Sequence, residues 1–184
     1  YTIGATAGFW LDNPNFTVSG QNGSPTNNGL LRVSQGIFNI GTASGNSIGA
    51  GTGAKIQVDG GTINVAGRLN TASAVTDIQS GGAVNVKVVG NTAVTPGFGL
   101  TSASSSFTMS NGTICVVTTG TTVDYNVQSA TVSITGGTLQ LGNASSGAVK
   151  TFRIGGNTPT VVLNNTSAEH NITLYASTNV YGDL

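Results

Sequence analysis

Apolar and polar positions alternate along most of this chain in short runs, and the runs end at glycine. Leu31-Arg32-Val33, Phe38-Asn39-Ile40, Ile56-Gln57-Val58 and Ile63-Asn64-Val65 show the pattern. A period of two is that of a half-buried strand. Helix is disfavoured throughout, because nearly every ten-residue window contains Gly, and Thr and Val are frequent. Gly costs about 1 kcal/mol at a helical position, and β-branched residues lose rotamer freedom there. Asn22-Gly23, Asn28-Gly29 and Asn111-Gly112 read as tight turns. The pattern predicts an all-β protein.

The runs repeat. With φ standing for Val, Ile, Leu, Met or Phe, the template φ-x-φ-x-x-Gly-x-φ-x-φ fits without gaps from Leu31 to Ile40, Ile56 to Val65, Phe107 to Val116 and Val132 to Leu141. Chance predicts roughly 0.1 matches for such a composition. A looser copy, Thr76 to Val86 with one inserted residue, fills the long step between the second and third matches. Weaker copies flank the set at Phe16-Thr17-Val18 and Val161-Val162-Leu163. A β-rich unit recurring every 20 to 30 residues is the signature of a solenoid. Each copy supplies two strands meeting at a glycine bend, where positive φ carries no penalty. A third apolar cluster follows at Ile48, at Leu69, at Val123 with Tyr125, and at Phe152 with Ile154. The expected architecture is therefore a single domain over 1–184: a parallel β-solenoid of about seven coils, three short strands per coil, about 34 Å tall at about 4.8 Å per coil.

Stacking assigns the columns. Val33, Val58, Ile78, Met109 and Ile134 are expected to form one inward column, and Phe38, Ile63, Val84, Ile114 and Leu139 another. Asn39, Asn64, Asn85, Cys115 and Gln140 then form an outer column whose amides can hydrogen-bond along the axis. Residues 87–105 and 142–151 are expected to project sideways as loops.

Composition narrows the function classes. Gly (28), Thr (27), Asn (19) and Ser (18) make up half of the 184 residues, and only 7% are charged, with no net charge. A nucleic-acid binder needs a basic face, which is missing, and no apolar run approaches the length of a membrane-spanning helix.

The segment Val132 to Asn143, with Gly136-Gly137-Thr138-Leu139-Gln140-Leu141-Gly142, resembles the autotransporter-associated β-strand repeat, and Gly60-Gly61-Thr62-Ile63-Asn64-Val65 is similar to it. The resemblance implies a right-handed parallel β-helix of the pectate-lyase-like type, within a large bacterial surface or secreted protein of adhesive or structural duty. It implies no catalytic, cofactor or metal residues.

Candidate chemistry is sparse. His170 is the only histidine, beside Glu169, and no Gly-x-Ser-x-Gly elbow accompanies it. It reads as a loop residue. One His and Cys115 cannot make a zinc site. Glycoside hydrolysis needs two carboxylates about 5 to 9 Å apart. Among Asp12, Asp59, Asp77, Asp124, Glu169 and Asp183, Asp59 sits at a bend in one coil and Asp77 in a strand of the next, neighbours without being a designed pair. Lys55, Lys87, Arg32 and Arg68 are scattered over several columns. The Gly-Gly pairs at 60–61, 81–82, 136–137 and 155–156 lack the Asp of calcium-binding nonapeptides. A flat threonine array of the ice-binding kind is interrupted, since Ile37 and Ala83 share the column of Thr62, Thr113 and Thr138. Asn-x-Ser/Thr sequons at Asn15, Asn22, Asn111, Asn143, Asn164, Asn165 and Asn171 matter only in a glycosylating secretory route. Alternation points Cys115 outward, where it reads as a substitution in the Asn column.

The expected role is a non-enzymatic, extracellular or cell-surface solenoid, structural or adhesive, without cofactor. It is either a segment of a longer solenoid or a filament subunit, because neither end carries a charged or helical cap. Its expected partners are other coils or copies stacked end to end, and cell-surface glycans. Two alternatives use the same fold: a polysaccharide lyase or hydrolase around Asp59 and Asp77, and a carbohydrate-binding module with exposed Trp10, Phe98, Tyr125, Tyr175 and Tyr181.

Overall fold

A computed structural model describes residues 1–20, 23–88, 96–118, 123–141, 150–154, 161–163, 171–174 and 178–181; side chains are described as far as Gln140. Every described element is a strand, and every strand pair is parallel. Parallel strands require a crossover of a dozen or more residues. Here each turn of the coil is the crossover, so sequence-adjacent strands lie on different faces.

Three faces result. The first stacks Gly8–Leu11, Leu30–Val33, Lys55–Val58, the first halves of Thr76–Val88 and Ser106–Thr118, Thr131–Ile134 and Val161–Leu163. The second stacks Thr17–Gly20, Ile37–Ile40, Thr62–Val65, the second halves of the same two long strands, Thr138–Leu141 and Asn171–Leu174. The third begins with Thr2–Ile3, Thr26–Asn27 and Gly49–Ala50. It continues through an Ile48–Leu69 bridge into Leu69–Thr71, Phe98–Leu100, Val123–Val127, Lys150–Ile154 and Thr178–Tyr181. The parallel β-solenoid is thus the fold, with about five turns against the about seven coils expected. The turns up to Leu141 are described apart from 21–22, 89–95 and 119–122, and the later ones through backbone strands alone.

The bends between first and second faces use glycine as expected at Gly36, Gly82, Gly112 and Gly137, all with positive φ. Gly61 occupies the same place without positive φ. There the demand is space: a Cβ would lie 2.6 Å from Val33 Cγ1.

One continuous apolar core runs from Ile3 to Leu139. The second-face column Phe38, Ile63, Val84, Ile114, Leu139 is in register and buried as expected. The first-face column needs a correction. Val58 pairs with Gln79, and Gln79 with Met109, so Ile78 is not in the inward column; it pairs with Gln57 and Thr108 on the outer side. The looser copy is in fact gapless when read from Asp77, with Asp77 and Gln79 in the two apolar places. Spacing to Gly82 fixes the register, because Ala83 to Val86 must meet Thr62 to Val65. A one-residue slip would flip that whole strand to the wrong face.

Residues 87–105 are also not simply a sideways loop. Phe98–Leu100 within them is a rung of the third face, with Phe98 and Leu100 buried. Phe98 packs edge-on to Phe107 (centroids 5.8 Å apart) and lies 5.7 Å from Tyr125. Residues 142–149 lie outside the described residues, whereas 150–151 open a third-face strand. At the N-terminal end Phe9 and Leu11 pair with Leu31 and Val33, and Val18 with Phe38, so the first turn continues the columns.

Candidate functional site

Alternation that buries one set of side chains presents the other set as axial rows on the surface. On the second face the row is Ser19, Asn39, Asn64, Asn85, Cys115, Gln140. Asn39 Nδ2 donates to Ser19 Oγ (3.3 Å), Asn64 Nδ2 to Asn39 Oδ1 (2.8 Å) and Asn85 Nδ2 to Asn64 Oδ1 (2.9 Å). The expected amide ladder therefore exists over the first four turns, and all its donors point toward the first turn. Cys115 follows it, half-buried; burial raises its pKa, against a smaller opposing effect from Lys87. Beside the ladder runs a groove of about 590 Å3, lined by Ser19, Asn39, Gly41, Asn64, Asn85 and Lys87 among others.

On the first face, Asp59 gathers side chains from three turns. Arg32 Nε donates to its Oδ2 at 2.5 Å and Ser34 Oγ at 3.4 Å; Gln57 Nε2 donates to Oδ1 at 2.9 Å and Ser80 Oγ at 3.0 Å. Partial desolvation alone would raise the Asp59 pKa. The hydrogen bonds from Gln57, Arg32 and Ser80, with the Arg32 charge, outweigh it and hold the carboxyl below its ordinary value. Trp10 extends the network to a fourth turn: its indole N–H donates to Ser34 Oγ (2.7 Å), and the Arg32 guanidinium lies 4.6 Å from its ring centroid.

Asp77, the other half of the candidate carboxylate pair, is in the core. It is 3% exposed, between Ile56 and Phe107, and burial pushes its pKa up to about 7. Asp59 faces outward and Asp77 inward, so the sheet wall separates them. No substrate bond outside the rod can lie between both carboxyls. Asp12 accepts from Gln35 Nε2 (3.1 Å), one turn on. Asp124, Glu169, His170 and Asp183 lie outside the described residues or side chains. Among the described residues, no group of three or more His, Cys, Asp or Glu could hold a metal ion, and no helix is long and apolar enough to cross a membrane.

The aromatic set divides. Trp10 is exposed, but Phe98 and Tyr125 are buried core residues; this corrects the platform expected of them. Tyr125 is anchored through its hydroxyl, which donates to Ile114 O (2.5 Å) and reaches Gln140 O (3.2 Å). Tyr175 and the Tyr181 side chain lie outside the description. The threonine column has the interruptions expected: Ile37, Thr62, Ala83, Thr113 and Thr138 stand in one register row. The Asp59 network was not anticipated, although its signal is in the sequence, since Arg32 and Gln57 occupy the same place in successive templates.

No family model, curated protein or solved structure matches the chain.

Proposed function

We propose that the chain is a non-enzymatic extracellular β-solenoid of structural or adhesive duty, built into a surface protein or assembled end to end. One observation carries this reading. Among the described residues, Thr2–Ile3, Gly8–Leu11 and Thr17–Gly20 of the first turn pair only with the second turn, so a further rung, from this chain or another, has backbone to pair with. The first turn also carries Tyr1, Trp10 and Phe16, at 61%, 57% and 59% exposure. Three parallel edges with unpaired backbone groups and exposed rings are a template for a further rung. Low charge supports the reading, because few like charges oppose close approach of two such ends. An outer surface of Asn, Ser and Thr suits a rod exposed to water outside the cell.

Electron microscopy of the purified chain tests the assembly. Fibres with an axial repeat near one chain height, at about 4.8 Å per rung, are the expected result. Dispersed short rods at high concentration would reject end-to-end stacking of this chain.

The groove beside the amide ladder favours a second, compatible reading in which the rod holds a neutral glycan. It offers amide donors and acceptors at the rung spacing and one cation, Lys87. Glycan-array binding that weakens in Lys87→Ala supports it; an array without hits dismisses it.

A further inference from the structure

Both inward columns of the first face are apolar at every other described turn. One reads Leu31, Ile56, Asp77, Phe107, Val132; the other reads Val33, Val58, Gln79, Met109, Ile134. Asp77 and Gln79 are thus two polar side chains, two residues apart on one strand, facing the same interior. Both are buried, at 3% and 1% exposure. Among the described residues, Asp77 Oδ2 and Gln79 Oε1 have no hydrogen-bond partner. The Gln79 nitrogen is already engaged with the carbonyl oxygens of Gly81 and Gly82.

Two bare acceptors side by side cannot satisfy each other, and leaving both unmade is costly. A single proton changes that, because a carboxylic acid is a donor as well as an acceptor. Among the described residues, no positive charge acts on the Asp77 carboxyl instead. The turn before contributes Ile56 and Val58, and the turn after Phe107 and Met109. The same turn adds Val84 and Val86 from the second face and Leu69 and Thr71 from the third, all buried. The Thr71 hydroxyl already donates to Ala50 O (2.8 Å). Arg32 and Lys55 alternate with buried neighbours, and Asp59 and Lys87 stand at a bend and an exposed position. Arg68, half-buried at the bend before Leu69, has its Nε and Nη2 covered and without a partner among the described residues, but its charge does not act on Asp77, whose shift comes from burial alone.

We infer that Asp77 and Gln79 form a proton-operated latch inside the rod: the Asp77 carboxylic acid donates to Gln79 Oε1 and seals the turn, and loss of that proton to water leaves two unpaired acceptors, one charged, that loosen Thr76–Val88. Burial pushes the Asp77 pKa up to about 7, so the latch works near neutrality. The sign follows from linkage. The opened segment releases this proton near the ordinary 3.8, and the closed one holds it to about 7. The sealing contribution is complete below the lower value and is lost as pH rises to the upper one. This device holds whether or not the rod stacks on other copies.

The test is a pH series on the whole chain by NMR. The Asp77 carboxyl carbon shift is followed directly, and amide hydrogen exchange of Thr76–Val88 is corrected for intrinsic rate. The expected carboxyl midpoint is far above 4. The opening equilibrium should rise about tenfold per pH unit from about pH 4 to about pH 7 and level off above. Asp77→Asn, which keeps the shape and a donor without the charge, should give a flat profile with the segment protected. A carboxyl midpoint near 4 in the wild-type chain overturns the inference without any variant. So does a wild-type exchange profile with no such rise.

Discussion

Asp59 shows how much one residue can hold in a rod stabilised mainly by repetition. It accepts from four side chains on its own and both flanking turns, each bond charge-assisted and stronger than a neutral one. Its surface position and the partial exposure of Arg32 moderate that strength (side chains 21% and 34% exposed). Asp59→Ala should therefore lower stability by about 1–3 kcal/mol, read as a lower urea midpoint with unchanged slope. A midpoint within error of the parent would show that solvent replaces the network at no cost. The bend glycines are stricter. At Gly82 a Cβ would sit 2.1 Å from Gly61 O, and φ is +63°. Gly82→Ala combines the left-handed penalty of about 1–2 kcal/mol with a backbone collision and should abolish the cooperative unfolding transition. Near-parental melting would refute the close approach.

At the scale of elements, the amide ladder works along the rod and not within a strand. Each link joins residues 20 to 25 positions apart, so it ties turns together where backbone bonds already do. The two inner members, Asn39 and Asn64, each take part in two links, and Asn85 in one. Asn64→Ala should cost roughly twice as much as Asn85→Ala, with about 1 kcal/mol per link, measured by chemical denaturation. Equal losses would mean that the links are not additive parts of a chain but one polarised unit. The two long strands teach a related lesson. Thr76–Val88 and Ser106–Thr118 pass through the glycine bend as single strands, with register shifts on both sides of Ser80 before pairing resumes at Ala83. The bend length is therefore conserved from turn to turn in space even where the residues beside it are not apolar. That constraint is what draws Asp77 and Gln79 inward.

For the molecule as a whole, two carboxyls with opposite shifts define a stability window. Asp59 is held below its ordinary value, so its contribution is present above about pH 4 and is lost on acidification through the lowered pKa. Asp77 is held above its ordinary value, so its contribution is complete at low pH and is lost as pH rises to about 7. The rise of the Asp77 pKa from 3.8 to about 7 corresponds to on the order of 4 kcal/mol. Thermal melts across pH should peak near pH 4, where both contributions are largest, and Asp77→Asn should remove the decline on the alkaline side. A melting temperature that climbs from pH 5 to pH 8 would contradict the assignment. Assembly belongs to this scale too. If the first-turn edge receives another rung, Tyr1→Ser with Phe16→Ser should raise the concentration needed for fibres by tenfold or more, since burying an aromatic side chain contributes about 1.5–3 kcal/mol. An unchanged threshold would place the contact elsewhere.

The sequence by itself determined the coil. Alternation, glycine at a fixed place and a near-regular spacing admit one arrangement in which all the apolar places stack, and the Phe38 column and the Asn39–Asn64–Asn85 row were legible from it. What it could not decide was every case where a local preference conflicts with a neighbour one turn away. Ile78 is apolar and reads as core, yet the bend spacing to Gly82 turns it outward and brings Asp77 in. Phe98 and Tyr125 read as candidate surface rings, yet the third face, which lacks the glycine template, takes them inside. The Trp10–Arg32–Asp59 network joins residues that are far apart in sequence. The physical reason is the same in each case. Strand pairing in this rod runs between turns, so a residue's environment is set by the register of the chain above and below it, and only the folded stack fixes that register.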